Sequence, residues 1–549
     1  MRHESNEHPQ AEAGQQLAHY DWIIVGSGFG GSVCALRLAE KGYRVLVAEQ
    51  GKRFEPKDFA RTNWNLRRWM WMPAAGLHGI FKMSLFRHLT VLHGVGVGGG
   101  SLTYANTLPL PPDAFFQAPS WAHLADWRTE LAVHYATARR MLGATPNPHL
   151  TPGDRVLEEL GRELGRESHF RPTEVAVYFG EPGRRAPDPF FGGEGPERTG
   201  CTLCGSCMTG CRVGAKNTLD RNYLYLAEKH GVEVRPQTQV LAVRPLADTP
   251  AGKPPGYRVE VKDTFGGGRT RRVLAADRVV LAGGVMGTVP LLLRMREDPR
   301  GLPRLSPRVG DFVRTNSEML AGVVIPDRDD LARGVAITSI LELDDRSHIE
   351  PVRYGPGSGF FRLLALPHAV GWTLPARLRS AARALARNPW RWVRAWTVRD
   401  FARHTQILLY MRTLEGHLSL RLGRSVFTGF RRGLVTRVAD PASRPRAYDP
   451  EGADLVERFA KKTGGAPMSM MMEVLLGTPS TAHVLGGACM GATPTEGVID
   501  KDHRVFGYEG LYVIDGSSVS ANPGVNPSLT IAALAERAMS LVPRRGEVQ

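Results

Sequence analysis

The chain has no long apolar run and few cysteines. No stretch of about 18 or more consecutive apolar residues occurs in its 549 residues, which argues against a membrane-spanning helix. Residues 1–19 are polar and lack the apolar core of a secretory signal, so we expect a flexible tail there. Only six cysteines are present, four of them within residues 201–211. A disulfide framework is therefore not expected, and a reducing, cytoplasmic setting is favoured.

Acidic residues are also scarce relative to basic ones. The 54 Asp and Glu residues face 70 Lys and Arg residues, which gives a formal charge of +16 and a pI near 9.8. This excess favours negatively charged partners such as phosphates or anionic lipid. We expect no nucleic-acid partner, because no recognition helix or aromatic-basic strand motif accompanies the charge. The length predicts two domains or one large domain with insertions.

Residues 21–51 carry the most informative pattern in the chain. A short apolar run is followed by Gly26, Gly28 and Gly31 in the spacing G-x-G-x-x-G, then by a helical pattern and a second apolar strand that ends at Glu49. In a dinucleotide-binding unit these glycines permit the tight turn, the approach of the pyrophosphate and close packing of the helix. The terminal carboxylate accepts hydrogen bonds from ribose hydroxyls. The pattern predicts a Rossmann-like dinucleotide site.

Three later glycine-rich segments, 94–106, 280–290 and 511–530, are predicted to bring backbone close to the same flat ligand. A flexible linker is the alternative for the first segment, and simple strand-to-helix punctuation is the alternative for the second. The further cofactor-binding candidates from these segments are Gly98, Gly99, Gly100, Ser101, Asn106, Gly284, Asp515, Gly516, Asn526 and Pro527.

Residues 201–211 contain Cys201, Cys204, Cys207 and Cys211 in the spacing C-x2-C-x2-C-x3-C. Thiolates with this spacing hold iron–sulfur clusters, so a [4Fe–4S] cluster is our first interpretation. A zinc site is the second, and a buried thiol-rich loop without metal is the third.

Residues 316–474 alternate in the manner of a largely antiparallel sheet. An insertion over about 360–403 interrupts this pattern. In it, Leu378 and Leu385 recur at helical spacing opposite Arg377, and several tryptophans follow Pro389. A basic amphipathic helix with interfacial tryptophan predicts peripheral membrane contact, and an ordinary surface helix packed on the sheet is the alternative.

Four motifs carry a resemblance to a known family. They are GSGFGG at 26–31, GVGVGGGSL at 94–102, the H-x-L-G-G loop that begins at His483, and GVNPSLTIAALAER at 524–537. In this order they resemble the glucose–methanol–choline (GMC) oxidoreductases, most closely their bacterial cholesterol oxidase-like branch. The resemblance covers both ends of the chain and the central glycine turn, and no motif matches the middle of the substrate domain.

The resemblance implies an α/β fold in which a discontinuous Rossmann-like FAD-binding domain is interleaved with a mostly antiparallel substrate domain. We assign 20–110, 201–315 and 475–549 to the FAD domain, and 111–200 and 316–474 to the substrate domain. By the same resemblance, His483 accepts the substrate hydroxyl proton, and Asn526 holds the substrate oxygen and polarises the flavin.

The expected activity is hydride transfer between flavin and a lipophilic, steroid-like alcohol or ketone at the cytoplasmic membrane face. Two alternatives stay open: redox chemistry on a steroid C=C bond with electrons passed through an iron–sulfur cluster, and a membrane-associated electron-transfer protein. Three features depart from the family pattern: Val484 follows His483, Tyr104 replaces an asparagine, and the acid beside the steroid ring has no assigned position. Together with the cysteines, they favour an electron acceptor protein or quinone instead of oxygen.

Overall fold

The computed structural model describes residues 17–246, 256–265, 270–441 and 444–547. Most of the predicted tail, residues 1–16, lies outside this described part of the chain. The helices are α1 (Phe29–Glu40), α2 (Leu66–Trp69), α3 (Asp113–Phe116), α4 (Trp127–Met141), α5 (Pro152–Glu163), α6 (Tyr223–Lys229), α7 (Val285–Glu297), α8 (Leu374–Arg387), α9 (Pro389–Thr397), α10 (Pro450–Thr463), α11 (Met471–Leu476) and α12 (Ser528–Ser540).

The strands divide between two large sheets and several short pairs. Those of the first half are β1 (His19–Val25), β2 (Val45–Ala48), β3 (Trp71–Met72), β4 (Leu77–His78), β5 (Phe81–Leu85), β6 (Thr90–Gly94), β7 (Ala144–Pro146), β8 (Phe170–Pro172), β9 (Glu174–Ala176), β10 (Arg185–Ala186), β11 (Arg198–Thr199), β12 (Glu233–Arg235), β13 (Thr238–Pro245), β14 (Tyr257–Asp263) and β15 (Arg271–Leu281). The later ones are β16 (Met319–Val324), β17 (Ser339–Glu342), β18 (Ser347–Val352), β19 (Ala365–Pro367), β20 (Thr405–Arg412), β21 (Ser419–Gly423), β22 (Gly433–Arg437), β23 (Ala466–Met470), β24 (Ser480–Thr481) and β25 (Leu511–Val513).

The first large sheet has the order β12-β2-β1-β15-β14-β13, with β25 also paired to β15. The long strand β15 makes both kinds of pairing: its first half is antiparallel to β14, and its second half is parallel to β1 and β25. Helices α1, α12, α4 and α6 pack together beside this sheet and share its hydrophobic core. Buried parallel strands read as continuous apolar runs, which is what β1 and β2 show.

The second large sheet is antiparallel throughout, in the order β19-β23-β16-β20-β18-β17-β8. Helices α5 and α10 cover one face through a core that includes Leu157, Phe459 and Tyr410. A smaller cluster that contains Leu409 and Met411 lies on the alternate side chains of β20, which point to the other face. On this second face α9 covers the end formed by β16 and β23, while the part around Leu409 and Met411 is left to roof a site.

The α/β class and the antiparallel second sheet are as predicted. The strands of each large sheet fall inside the ranges assigned to one domain, while the domain boundaries themselves stay a prediction. The sequence pattern also predicts a helix over 219–230 and a strand over 334–343, and both are wrong in extent. Residues Leu219–Arg221 form a 3-10 turn that is followed by α6, because Asn222 leaves the helical region at φ −136° and caps α6 at Tyr223 N. The strand begins only at Ser339.

The insertion forms the helices α8 and α9, as predicted. The side chain of α8 that points inward is Arg377, whereas the prediction placed Leu378 on the buried side. Arg377 is buried, whereas Leu378 is 46% exposed. The Arg377 guanidinium faces inward because it donates hydrogen bonds to main-chain carbonyls of its surroundings, including Val474 O at 2.8 Å. Trp392 is buried and its indole N–H donates to Ala384 O, which holds α9 on α8.

Candidate functional site

In the turn between β1 and α1, close backbone contacts explain why two of the three predicted positions, Gly26 and Gly31, are glycine. Gly26 has φ +103°, and a Cβ on it would lie 2.4 Å from Ala282 O. A Cβ on Gly31 would lie 2.1 Å from Gly26 O, so only glycine lets α1 pack this closely on the turn. A Cβ on Gly28 would meet no atom within 4 Å, because Gly28 borders an open cavity.

This cavity measures about 420 Å³ and runs along the ends of β1 and β2 toward α7 and β25. Most of the cofactor-binding candidates converge on it. The predicted residues that line it are Gly26, Gly28, Glu49, Gly99, Gly100, Gly284, Asp515 and Gly516. Four segments that are far apart in sequence therefore border one elongated space.

The remaining candidates lie outside the lining of this cavity. Gly31 and Gly98 shape the surrounding backbone, with φ +100° at Gly98. The Ser101 hydroxyl donates to Gly98 O and accepts from Leu219 N, so it fastens the glycine-rich turn to the start of the 3-10 turn. Pro527 is the residue before α12. Asn106 is buried with φ +58°, and neither of its side-chain amide atoms has a partner in the described part of the chain.

Two buried carboxylates, Glu49 and Asp515, accept hydrogen bonds that hold the segments lining the cavity together. Glu49 accepts hydrogen bonds from Ser27 N, Ser27 Oγ and Gly51 N, and burial raises its pKa. Asp515 accepts from Gly284 N at 2.8 Å and from the Thr288 hydroxyl at 2.5 Å, so it joins the end of β25 to the first turn of α7. Burial raises the pKa of Asp515 as well.

The lining also contains basic residues that the sequence patterns did not single out. Lys82 and His93 are opposite each other on β5 and β6 and both face the cavity, as does Arg294 of α7. Burial lowers the pKa of Lys82, and burial together with Lys82 lowers the pKa of His93 to about 3. The alternation of apolar and polar residues over 81–85 could have identified Lys82 as a strand residue, but it did not indicate that the Lys82 side chain faces the cavity.

His483 lies between two polar side chains next to this cavity, whose lining includes its neighbours Ala482 and Val484. Its Nδ1 forms a short hydrogen bond with the Glu318 carboxylate, and its Nε2 is 3.4 Å from Asn526 Nδ2. The structure thus brings the two predicted catalytic residues together. Burial by itself would lower the pKa of His483, but the Glu318 carboxylate, helped by Glu350, outweighs burial and the pKa is raised.

Glu318 and Glu350 are the acidic residues that sequence reasoning missed. Glu318 directly precedes β16, and Glu350 is in β18 opposite Leu409 of β20. Glu350 is fully buried, and neither of its carboxylate oxygens has a hydrogen-bond partner among the described residues. His348 Nε2 is 3.6 Å from it. Both acids reach His483 only through the pairing of strands that are distant in sequence.

The face of the second sheet around these acids is otherwise apolar. Its cluster combines strand residues with Met208 from the cysteine loop and Ala105 from the glycine-rich segment. The members are Ile337, Val352, Leu409 and Met411, with Ala105, Met208, Leu320 and Ile407 packed against them. An apolar wall beside a His–Asn pair suits a lipophilic alcohol whose single hydroxyl needs polar contacts.

The cysteine loop is not arranged as a metal site. Within residues 17–246, 256–265, 270–441 and 444–547, no group of three or more His, Cys, Asp or Glu side chains could hold a metal ion. Cys201, Cys207 and Cys211 are partly buried against an apolar cluster that contains Val175, Val177, Ala215 and Val335. The iron–sulfur and zinc interpretations therefore find no support among the described residues, and the four thiols are only partly buried, whereas the third interpretation expected a buried loop.

Packing with the rest of the fold explains the shape of this loop. Cys204 forms an isolated β-bridge with Gly334 through backbone hydrogen bonding. A Cβ on Gly205 would overlap Ala332 O, and a Cβ on Gly210 would overlap the Phe59 ring. Its Met208 joins the apolar wall near His483. The segment thus contributes to the substrate side of the site through packing.

No helix in the described ranges of the chain is long and apolar enough to cross a membrane. The insertion nevertheless exposes large apolar side chains beside its arginines. Those on or next to α8 and α9 are Leu363, Trp372, Leu374, Leu378, Trp390, Val393 and Trp396.

Comparisons with known proteins agree with this architecture. Models described as GMC oxidoreductase match residues 196–295 and 424–535, and one described as an NAD(P)-binding Rossmann-like domain matches residues 24–54. The chain is 44% identical over 535 residues to a cholesterol oxidase of Acinetobacter baumannii, covering 96% of this chain and 95% of that protein. It is 45% identical over 550 residues to a cholesterol oxidase of Mycobacterium tuberculosis, covering 96% and 92%.

Among solved structures, pyridoxine 4-oxidase from Mesorbium loti superposes with a TM-score of 0.59 at 16% identity, covering 95% of this chain and 98% of that one, and this likeness concerns the fold alone. The sequence prediction of the family and of the fold class is confirmed. The chain belongs to the GMC oxidoreductase family, and it is a cholesterol oxidase-like, FAD-dependent oxidoreductase that acts on CH–OH donors.

Proposed function

We propose that the protein oxidises the secondary hydroxyl of a sterol, or of a closely related lipophilic alcohol, to the ketone. The observation that carries this proposal is His483, held between Glu318 and Asn526 beside the glycine-lined cavity and under the apolar face of the second sheet. The two relatives named cholesterol oxidase support the sterol as the substrate class.

The long cavity fits an FAD. Gly28 leaves space where any side chain would intrude, and Glu49 is positioned at the end of β2, where a carboxylate binds ribose hydroxyls. The starts of α1 and α7 present free backbone N–H groups for a diphosphate or a ring. FAD, when bound, supplies the acceptor for the hydride of the substrate carbon.

The remaining chemistry belongs to the side chains of this chain. His483 Nε2 accepts the hydroxyl proton, while Glu318 on Nδ1 selects the tautomer and stabilises the imidazolium that forms. The Asn526 amide, close to the same Nε2, donates to the substrate oxygen and holds it in line. The apolar wall excludes water from the reacting carbon.

The test compares turnover of a detergent-dispersed 3β-hydroxysterol by the parent protein and by His483→Gln and Asn526→Leu variants, with ketone measured by mass spectrometry. Both substitutions should lower kcat by at least about 100-fold, as expected for loss of a general base or of a positioned donor. His134→Gln on α4 is the matched control and should retain full activity. Unchanged turnover in His483→Gln, with FAD retained, would contradict the roles proposed here.

We also propose that α8 and α9 form the surface that docks on the membrane holding the substrate. Trp390 of α9 is 69% exposed and Trp372, just before α8, is 54% exposed, and arginines recur along both helices. Interfacial tryptophans and basic side chains are the combination that binds amphipathic helices to anionic bilayers. Co-sedimentation with vesicles that contain phosphatidylglycerol tests this; a protein that stays in the supernatant would refute it.

A further inference from the structure

A second cavity, of about 380 Å³, opens beside the N-terminal end of α8. Three arginines and two aromatic rings line it: Arg377, Arg444, Arg446, Trp372 and Tyr448. It is distinct from the glycine-lined cavity, with which it shares no lining residue. Positive charge and aromatic surface together mark it as a site for an amphiphilic anion.

The arginines are held by neutral groups. Arg377 is 7% exposed and donates to Val474 O at 2.8 Å and Trp372 O at 3.1 Å. Arg444 donates to Gly477 O, and the Arg446 guanidinium lies 4.9 Å from the centre of the Trp372 ring. Across the described ranges, no ion pair joins any of the three to a carboxylate. Arg377 is a buried charge without a counterion, which is costly, and the half-buried Arg444 and exposed Arg446 add to the positive charge at the mouth of the same cavity, so the site favours an anion.

The titratable groups in the same lining do not neutralise this charge. Glu473 accepts a hydrogen bond from Ser480 N, and burial raises its pKa to about 8, so its carboxyl is mostly protonated at neutral pH. His368 hydrogen-bonds to Ser469, and burial lowers its pKa to about 4, so it is neutral. The pKa of Arg377 is itself lowered by burial and by the nearby Arg444.

The rim of the cavity continues into the exposed apolar surface of α8. Trp372 belongs to both, and Leu374 and Leu378 on the following turn are 43% and 46% exposed. A small inorganic anion would satisfy the arginines and leave this rim in water. A phosphate group attached to acyl chains would satisfy both, since its chains continue over the apolar side chains.

We propose that this cavity binds the phosphate group of an anionic phospholipid. The inference rests on the proposed membrane docking through α8 and α9, to which it adds a specific headgroup site. Arg444 and Arg446 make charge-assisted hydrogen bonds to the phosphate oxygens, Arg377 supplies the buried charge beneath them, and the acyl chains lie over Trp372 and Leu378.

The experiment titrates the FAD-loaded, full-length protein with dihexanoyl phosphatidylglycerol, kept as dispersed monomers, by calorimetry. Monomers present no bilayer surface, so diffuse attraction to a charged membrane does not contribute. Arg444→Gln/Arg446→Gln should weaken binding at least about tenfold, since one charge-assisted hydrogen bond is worth about 1.5 kcal/mol. Arg383→Gln/Arg387→Gln, which removes the same charge from the exposed part of α8, should bind as the parent does.

Equal weakening in both double variants, equal binding of dihexanoyl phosphatidylcholine, or no binding by the parent would each overturn the headgroup site. A loss of turnover of a detergent-dispersed sterol in Arg444→Gln/Arg446→Gln would also overturn it, because the cavity would then belong to the substrate site. Lipid binding by a parent protein that turns over no alcohol would sustain the headgroup site and contradict the proposed activity. The two proposals can therefore fail separately.

Discussion

Replacing Glu318 by glutamine changes one property of His483, the proposed catalytic base: its basicity. The Glu318 carboxylate accepts the hydrogen bond from His483 Nδ1 and is the group that raises the pKa of His483 against the effect of burial. Glutamine keeps the size of the side chain and removes its charge. We therefore expect the pKa of His483 to fall.

The sign of the effect on activity follows from the role of His483 as a base. The neutral imidazole is active, so kcat/KM rises as pH increases through the pKa of His483. In Glu318→Gln this rise should move to lower pH, while the plateau at high pH falls because the imidazolium loses its partner. A charge-assisted hydrogen bond is worth about 1.5–3 kcal/mol, which corresponds to a loss of about 10- to 150-fold in kcat.

The assay is the pH profile of sterol oxidation by the parent, by Glu318→Gln and by Glu342→Gln. Glu342 lies on the same sheet in β17 and pairs with Arg171 at the surface, so its substitution should alter neither the plateau nor the position of the rise. A Glu318→Gln profile whose rise stays in place, or whose plateau is unchanged, would refute the assignment of Glu318 as the partner that positions and charges His483.

Four further variants test other parts of the structure. Gly31→Ala should unfold the FAD-binding domain or abolish FAD binding, since the new Cβ would overlap a backbone oxygen. Gly28→Ala should keep the thermal stability of the FAD-free protein and weaken only the binding of flavin, because its Cβ meets no protein atom. Asp515→Ala removes the acceptor of four hydrogen bonds, from Gly284 N, the Thr288 hydroxyl, and Ser517 N and Oγ, and should lower the free energy of unfolding by at least about 4 kcal/mol, measured by denaturant titration. Trp390→Ser/Trp396→Ser should weaken vesicle binding at least about tenfold in co-sedimentation without changing turnover of dispersed sterol.

The parts of the fold that local sequence could predict are those decided by local sterics. The turn from Gly26 to Gly31 depends on backbone conformation and close approach within one βα unit, so its pattern is visible in six residues. The helical spacing of apolar residues also predicts helices over 127–142 and 375–388, and α4 and α8 match these bounds to within one residue.

The parts that could not be predicted depend on which strands pair. Glu318 and Glu350 reach His483 only because β16 and β18 both pair with β20, and no local pattern contains that register. Arg377 was predicted on the exposed side of α8 because it is charged; its inward position depends on carbonyls from α11 and from the preceding loop. The roles of His483 and Asn526 came from the family resemblance and stay proposals.

The cysteine segment shows that a spacing rule alone does not establish a site. The run from Cys201 to Cys211 has ligand spacing, yet the backbone of the loop is shaped by its contacts with Gly334 and the Phe59 ring, and no group of three or more ligating side chains that could hold a metal occurs in the described ranges. Spacing is necessary for a cluster, but the loop must also be free to fold around it.

The most direct test of the proposed function is an anaerobic single turnover. The purified, FAD-loaded protein is mixed with a detergent-dispersed 3β-hydroxysterol, and the absorbance of oxidised flavin is followed while the products are quantified. We expect the flavin to bleach with one ketone formed for each flavin reduced, and no bleaching with the matching 3-deoxysterol. Flavin that is reduced by dithionite but is not bleached by the sterol would contradict the proposal.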